Sequence, residues 1–291
     1  MATVYEIITE RILEQLEAGT VPWRKTWRTK GGFPRNLKSG KAYRGINVFL
    51  LSMLGYENPH FVTFKQAKEM GGSIKKGEQG SPVVFWKWPT QEEKEAEGKE
   101  AFPIVRYYKV WNIAQTEGIT HKRLTEWQES QAEAEATEAE VIDGAEAIVK
   151  GWTQAPPISH NFQRAFYNPL TDRIGMPRAE AFESGPAYYC TLFHELGHST
   201  GHSSRLDRKL DTNLAAFGSS DYSKEELVAE MTASFLCGSA GILDSQVDRS
   251  ASYIDGWLKS LRNDRRLVVM AAALAQKAAD YILCRDWSVT G

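Results

Sequence analysis

The sequence predicts an α+β protein of two domains, an N-terminal mixed α/β domain and a C-terminal mainly helical domain with a small β-sheet. Three observations carry this expectation. The chain has 291 residues, enough for about two domains of ordinary size. Helices and strand-like runs mix in the first half, whereas helical patterns dominate the last third. Charge falls into blocks: Lys+Arg against Asp+Glu is 14 to 7 over residues 1–90, 7 to 14 over 91–150 and 14 to 16 over 151–291. The expected division is 1–125, an acidic helical connector at 126–150, and 151–291. A composition 42% hydrophobic and 25% charged excludes disordered, collagen-like and disulfide-rich classes. The net charge of −2 argues against a nucleic-acid partner only until it is split into these blocks.

The elements follow in order. Tyr5–Glu17 reads as an amphipathic helix, with acids where an export signal needs basic residues. Helices are expected from Gly45 to Leu54 and from Thr63 to Met70, then strands at Val83–Trp88 and Ile104–Trp111, with QEEKEAEGKE (91–100) as a solvated hairpin tip. The run 126–150 holds no basic residue before Lys150, and its Ala/Glu content favours helix. Strand-like AFYN (165–168) and DRIGMP (172–177) open the last block, followed by helices at about 186–200, 223–238 and 252–284. Cys190, Cys237 and Cys284 are odd in number and form no C-x-x-C pair, which reads as reduced thiols in a cytoplasmic protein. The longest apolar stretch, Leu267–Ala275, is too short to cross a bilayer, so no membrane partner is expected.

The most specific motif is His194-Glu195-Leu196-Gly197-His198. Histidines at i and i+4 project from one helix face, so both imidazoles reach a single ion, and Glu195 lies where it deprotonates a water held there. The context is helical. Ser184 and Pro186 suit a helix start, Tyr189, Leu192, Phe193 and Leu196 supply an apolar face, and Gly201 suits the end. A catalytic zinc site needs a third protein ligand. Position 204, where the extended motif places a histidine, is Ser204, and His202 is out of register. The segment Glu226–Ala233 resembles the E-x-x-A-[DN]-x-x-A helix of glutamate-liganded zincins, with Glu230 at the fifth position. On that resemblance Glu226 ligates the metal and Glu230 orients a histidine. Ser223-x-x-Glu226 is also a capping box, which would occupy Glu226 structurally and leave Glu230 as ligand; Glu225 reads as a surface acid. His202 and Tyr222 stand near the site as supporting groups or transition-state donors, with plain packing as the alternative. Zinc is the expected ion and manganese the alternative, since two histidines and a glutamate accept either.

From Val21 to Asn47 the chain carries no acid in 27 residues. The cations Arg24, Lys25, Arg28, Arg35 and Arg44 interleave with Trp23, Trp27 and Tyr43. Cations neutralise phosphates and aromatic faces stack on unpaired bases, so this combination points to single-stranded nucleic acid. Residues 71–88 repeat the recipe with Lys75, Lys76, Phe85, Lys87 and Trp88. The competing reading makes the tryptophans core residues and the cations a solvated surface.

Together the two halves resemble ArdC-type antirestriction proteins. The N-terminal half is similar to their single-stranded-DNA-binding domain, also found on some plasmid primases, through Gly19-Thr-Val-Pro-Trp23-Arg-Lys-Thr-Trp27, Pro34-Arg-Asn36, Tyr43-Arg-Gly-Ile-Asn47, Thr63-Phe64, Gly71-Gly72, Lys76-Gly77-Glu78 and Gln115-Thr-Glu-Gly118. It adds Asn36 and Asn47 to the DNA-binding candidates. The C-terminal half is similar to their zincin-like metallopeptidase domain through Tyr167-Asn-Pro, Thr191 to His202, Arg205-Leu206, Glu225 to Glu230, Trp257-Leu and Ala271 to Tyr281. No primase module follows in the sequence, which points away from a primase. The resemblance implies a conjugative-plasmid protein that protects incoming DNA from restriction, with an unidentified protein substrate if the peptidase is active. The alternative is a non-catalytic protein that coats single-stranded DNA and keeps its metal site as a structural or vestigial feature.

Overall fold

The computed structural model describes residues 2–23, 32–87, 104–130, 137–210, 220–242 and 251–285, without the side chains of 220–222. Helix α1 (Val4–Glu17) starts at a capping box in which Thr3 and Glu6 satisfy each other's backbone donors. Its residues Ile8, Ile12 and Leu16, spaced by four, are wholly buried. Strands β1 (Arg35–Asn36), β2 (His60–Val62), β4 (Ser81–Lys87) and β5 (Ile104–Asn112) form a sheet of order β1-β2-β5-β4, with only β1 and β2 parallel. Helix α2 (Ile46–Ser52) packs on β4, and Thr63 caps the short α3 (Phe64–Glu69). Strands β3 (Ser73–Ile74) and β6 (Thr116–Glu117) pair separately. Helix α4 (Lys122–Ser130) follows.

The C-terminal part opens with α5 (Glu138–Gly151), the second half of the acidic run. It buries Ala145 and packs against α6 (Gly185–Ser199) and α7 (Ser220–Ala240), so this segment belongs to a helical core as well as linking two regions. Between α5 and α6 lies a sheet of order β7-β9-β8, made of Ile158–Ser159, Arg173–Gly175 and Phe166–Asn168 respectively. Among the described residues β8 pairs with β9 alone, which makes it an edge strand.

The single helix expected at 252–284 is instead two, α8 (Ala251–Asn263) and α9 (Leu267–Ile282). The break is a local side-chain turn. Asp264 Oδ1 accepts from the Arg266 amide at 2.8 Å and its carbonyl from the Leu267 amide, a competition with helix that aspartate makes readily. Among the described residues no helix is long and apolar enough to cross a membrane.

One apolar core joins the halves. α1 lies on α8 and α9, with Thr9 Oγ1 donating to the Arg265 carbonyl at 2.6 Å. Phe49 of α2 stacks on Phe235 of α7 with ring centres 5.0 Å apart. Arg44 pairs with the buried Asp280 of α9. Trp23 is 1% exposed, meets Trp257 edge-on at 5.7 Å, and donates its indole N–H to Glu230 at 2.7 Å. Cys190 and Cys237, distant in sequence, meet in this core as free thiols with Sγ atoms 2.9 Å apart. Trp23→Ala is expected to lower the unfolding free energy by about 3–5 kcal/mol, measured by urea denaturation. DNA affinity should fall no further than the loss of folded protein accounts for.

Candidate metal centre

Helix α6 is held at its start by Ser184 Oγ, which accepts from the Ala187 amide at 3.3 Å. It buries Cys190, Leu192, Phe193 and Leu196. That leaves His194 and His198 on the face turned toward a cavity of about 840 Å³, with Glu195 buried beside them. Across the cavity stands α7. Glu226 reaches both imidazoles, with Oε2 3.6 Å from His194 Nε2 and Oε1 3.5 Å from His198 Nε2. The two Nε2 atoms are 3.1 Å apart.

These three separations test the fit of an ion. A tetrahedron with metal–ligand bonds of about 2.1 Å has edges of about 3.4 Å. The observed spacings of 3.1, 3.5 and 3.6 Å bracket that length. The donor set, two imidazole nitrogens and one carboxylate, suits a divalent transition metal.

The electrostatics have the same origin. Burial alone would lower the His198 pKa, but its hydrogen bonds to Glu225 and Glu226 outweigh this and push it up to about 10. Burial opposes ionisation of Glu226, yet its contacts with His194 and His198 hold its carboxyl far below the usual carboxylate range. Glu225 is held low by Arg208, again against burial. Arg208 grips it with two bonds, Nε to Oε2 at 2.9 Å and Nη2 to Oε1 at 2.6 Å, and also donates to the Gly197 carbonyl and to Thr200. The other side of Glu225 meets His198 Nδ1 at 3.4 Å. A carboxylate on the far nitrogen of a ligating histidine fixes the ring and its tautomer.

Several sequence expectations change here. The carboxylate that lies against the far nitrogen of His198 is Glu225, read from the sequence as a surface acid. Glu230 lies against Trp23 and the Tyr253 hydroxyl instead. Because α7 begins at Ser220, Ser223 lies inside the helix and the capping-box alternative for Glu226 falls. His202 serves the turn after α6, its Nδ1 accepting from the Ser204 amide at 3.1 Å. The side chain of Tyr222 lies outside the described residues.

The basic block is also rearranged. Arg24, Lys25, Trp27, Arg28 and Trp88 lie outside the described residues. Trp23 is core. Tyr43 packs edge-on against Phe61. Asn36 donates to the Gln66 side chain at 2.9 Å and accepts from the Ser39 amide at 3.0 Å, and Asn47 bonds Val84 N and O at 2.7 and 2.8 Å, so both asparagines hold local structure together. Arg35 is half-buried with Nε on the Phe33 carbonyl, and Arg44 pairs with Asp280. Lys75 and Lys76 are exposed, Lys75 donating to the Ala114 carbonyl at 2.8 Å.

An exposed aromatic and cationic surface appears elsewhere, on the β4–β5 ribbon. Cross-strand partners share a face. The pairs Lys87–Ile104 and Phe85–Arg106, continued by Tyr108, place cations and rings side by side. Phe85 and Tyr108 are 43% and 40% exposed, with ring centres 5.7 Å apart. Sequence reasoning missed Arg106 and Tyr108. Their signal was the cluster of cations and aromatic rings in Arg106-Tyr-Tyr-Lys-Val-Trp111.

Comparison with known proteins agrees with both halves. A family model described as the N-terminal domain of anti-restriction factor ArdC matches residues 2–111, and one described as a zincin-like metallopeptidase matches 143–274. The antirestriction ArdC protein from the R388 plasmid, solved in Mn(II)-bound and metal-free forms, is similar at 36% and 38% identity with a TM-score of 0.75, over 97% of each chain. The chain belongs to the ArdC antirestriction family. It is also 36% identical to two Escherichia coli proteins named DNA primase TraC, with 96% of the chain aligned, but spans only 20% and 27% of their lengths. A third relative, the uncharacterized protein y4eC of Sinorhizobium fredii, is 32% identical over 96% of this chain and 91% of its own length.

Within this family's zincin-like half, the Arg208–Glu225–His198 chain predicts a measurable effect. Glu225→Gln is expected to weaken metal affinity by about 10–100-fold, read by competition with a coloured chelator, and also to lower the melting temperature of the metal-free protein, because the largely buried Arg208 side chain loses its partner charge.

Proposed function

We propose that the chain is an antirestriction protein that binds single-stranded DNA and carries a metal-dependent peptidase centre. The observation that carries the peptidase reading is the convergence of His194, His198 and Glu226 beside the buried Glu195. These three residues hold the ion, zinc or manganese; the Mn(II)-bound form of the R388 relative supports the latter. A divalent ion in such a site polarises a carbonyl and acidifies water. Glu195 takes the proton of the attacking water on its carboxylate and delivers it to the nitrogen of the leaving amine. Glu225, gripped by Arg208, keeps the His198 ring in register. An extended substrate adds along the open edge of β8, where main-chain bonds supply affinity independent of side chains.

Single-stranded DNA is assigned to the β4–β5 ribbon, where Phe85 and Tyr108 offer faces for stacking and Lys87 and Arg106 meet phosphates. In this reading the protein works in the cytoplasm of a cell receiving plasmid DNA.

Two sets of variants separate the parts. Glu195→Gln should keep metal uptake and lower peptide cleavage by about 10²–10⁴-fold, followed by mass spectrometry of a peptide library. Phe85→Ala and Tyr108→Ala should each weaken binding of an oligothymidylate by about 1–3 kcal/mol, with affinity falling steeply as salt rises. The exposed ribbon needs no metal centre, which favours a second reading in which the protein acts only by coating DNA. Full restriction protection by Glu195→Gln, with protection lost in the ribbon variants, would decide for that reading.

A further inference from the structure

The cavity mouth carries charge that the hydrolytic step does not use. Its lining includes three carboxylates, and each already has a place: Glu226 on the histidines, Glu225 on Arg208, and Glu195 beside the donor set. Against them stand four cations, Arg164, Arg208, Lys209 and Lys224. Arg208 is spent on Glu225, and Lys209 pairs with Asp207 at 2.6 Å. Arg164 and Lys224 are exposed, and no carboxylate lies within ion-pair distance of either among the described residues. They occupy different walls. Arg164 precedes the edge strand β8, and Lys224 stands on α7 two residues before Glu226.

Resting on the peptidase reading, we propose that this cavity selects peptides with acidic side chains beside the bond to be cut, received by Arg164 on one wall and Lys224 on the other. Among the described residues no strand pairs with the outer edge of β8, and its backbone groups there suit an extended peptide and not a sugar-phosphate chain. The side chains of a peptide lying there alternate in direction, so acids near the scissile bond meet both walls in turn. Two cations at a solvated rim discriminate modestly each, and together by about tenfold.

The test uses full-length Glu195→Gln protein loaded with Mn(II), so that peptides bind without being cut. Fluorescein-labelled peptides differing only in Glu or Gln on both sides of a central dipeptide are titrated by anisotropy at low salt. The Glu peptide should bind about tenfold more tightly. In the Arg164→Gln/Lys224→Gln background the two peptides should bind alike, and in Arg164→Glu/Lys224→Glu a Lys peptide should be preferred. Both positions are exposed, and circular dichroism melting should match the parent. Equal affinities in the parent, a Glu preference that survives the double substitution, or no binding of either peptide would overturn the proposal. So would displacement of the Glu peptide by oligothymidylate from the parent alone, because the cations would then serve nucleic acid. Failure of the peptidase reading has a different signature: the protein with Glu195 intact cuts neither peptide, whatever the binding preference.

Discussion

Helix α6 brings its histidines to Glu226 because Gly197 lets two backbones touch. A Cβ placed on Gly197 would lie 3.2 Å from both the Cα and the carbonyl oxygen of Ala229 on α7. Neither is the free end of a side chain, so room for a Cβ would have to come from a shift of the α7 backbone by a few tenths of an ångström. Glycine inside a helix costs up to about 1 kcal/mol relative to alanine, and here the close approach offsets it. With the helices this near, Leu196 and Phe193 on one side and Leu227, Val228 and Met231 on the other close into a dry layer. Glu226 then projects onto the imidazoles, and its neighbour Glu225 turns behind His198. The donor set is thus a consequence of one interhelical distance.

That arrangement concentrates negative charge in a half-buried place. Glu225 and Glu226 both face the histidines, and Arg208 answers Glu225, which leaves the carboxylate of Glu226 at the donor set for a divalent cation to meet. Without such a cation, the nearest base takes a proton, and the carboxylates on either side of His198 hold that proton firmly. Arg208 is suited to its position because a planar fork can hold a carboxylate at two points and still donate to a helix-end carbonyl. Lysine would bring the same charge without the geometry.

Much of this was legible in the sequence, and all but one of the failures share a cause. The helix-borne histidines and the acid between them follow from spacing along a single element, which sequence records directly; Glu226 rested on the resemblance of its helix to that of glutamate-liganded zincins. Glu225 and Glu230 were read the wrong way round because acids on one helix differ in sequence only by position, while the direction each faces is set by what packs against α7. Trp23 read as a stacking platform because it is followed by cations. Its burial depends on Trp257 and Glu230, more than two hundred residues away in sequence. Asn36 and Asn47 similarly spend their amides on Gln66 and on the Val84 backbone, partners that no local pattern identifies. The break at Asp264 was local, and its turn-forming side chain was present in the sequence between two strongly helical runs.

The same long-range contacts bear on how the two halves influence one another. Trp23 donates to Glu230, one helical turn beyond Glu226 on α7, and Tyr253 of α8 bonds the same carboxylate. α1 rests on α8 and α9, while α2 reaches α7 through Phe49 and Phe235. The helix carrying the third metal-facing side chain is therefore braced by residues from the half that contains the ribbon. A substitution that loosens Trp23 removes apolar contact and leaves the half-buried Glu230 with one partner fewer, a combination that strains α7 itself. Effects of N-terminal substitutions on metal binding then arise through packing, with no DNA involved. Substitutions on the ribbon's outer face touch none of these contacts, which makes Phe85 and Tyr108, rather than Trp23, the residues at which the proposed DNA binding is tested apart from the integrity of the metal centre.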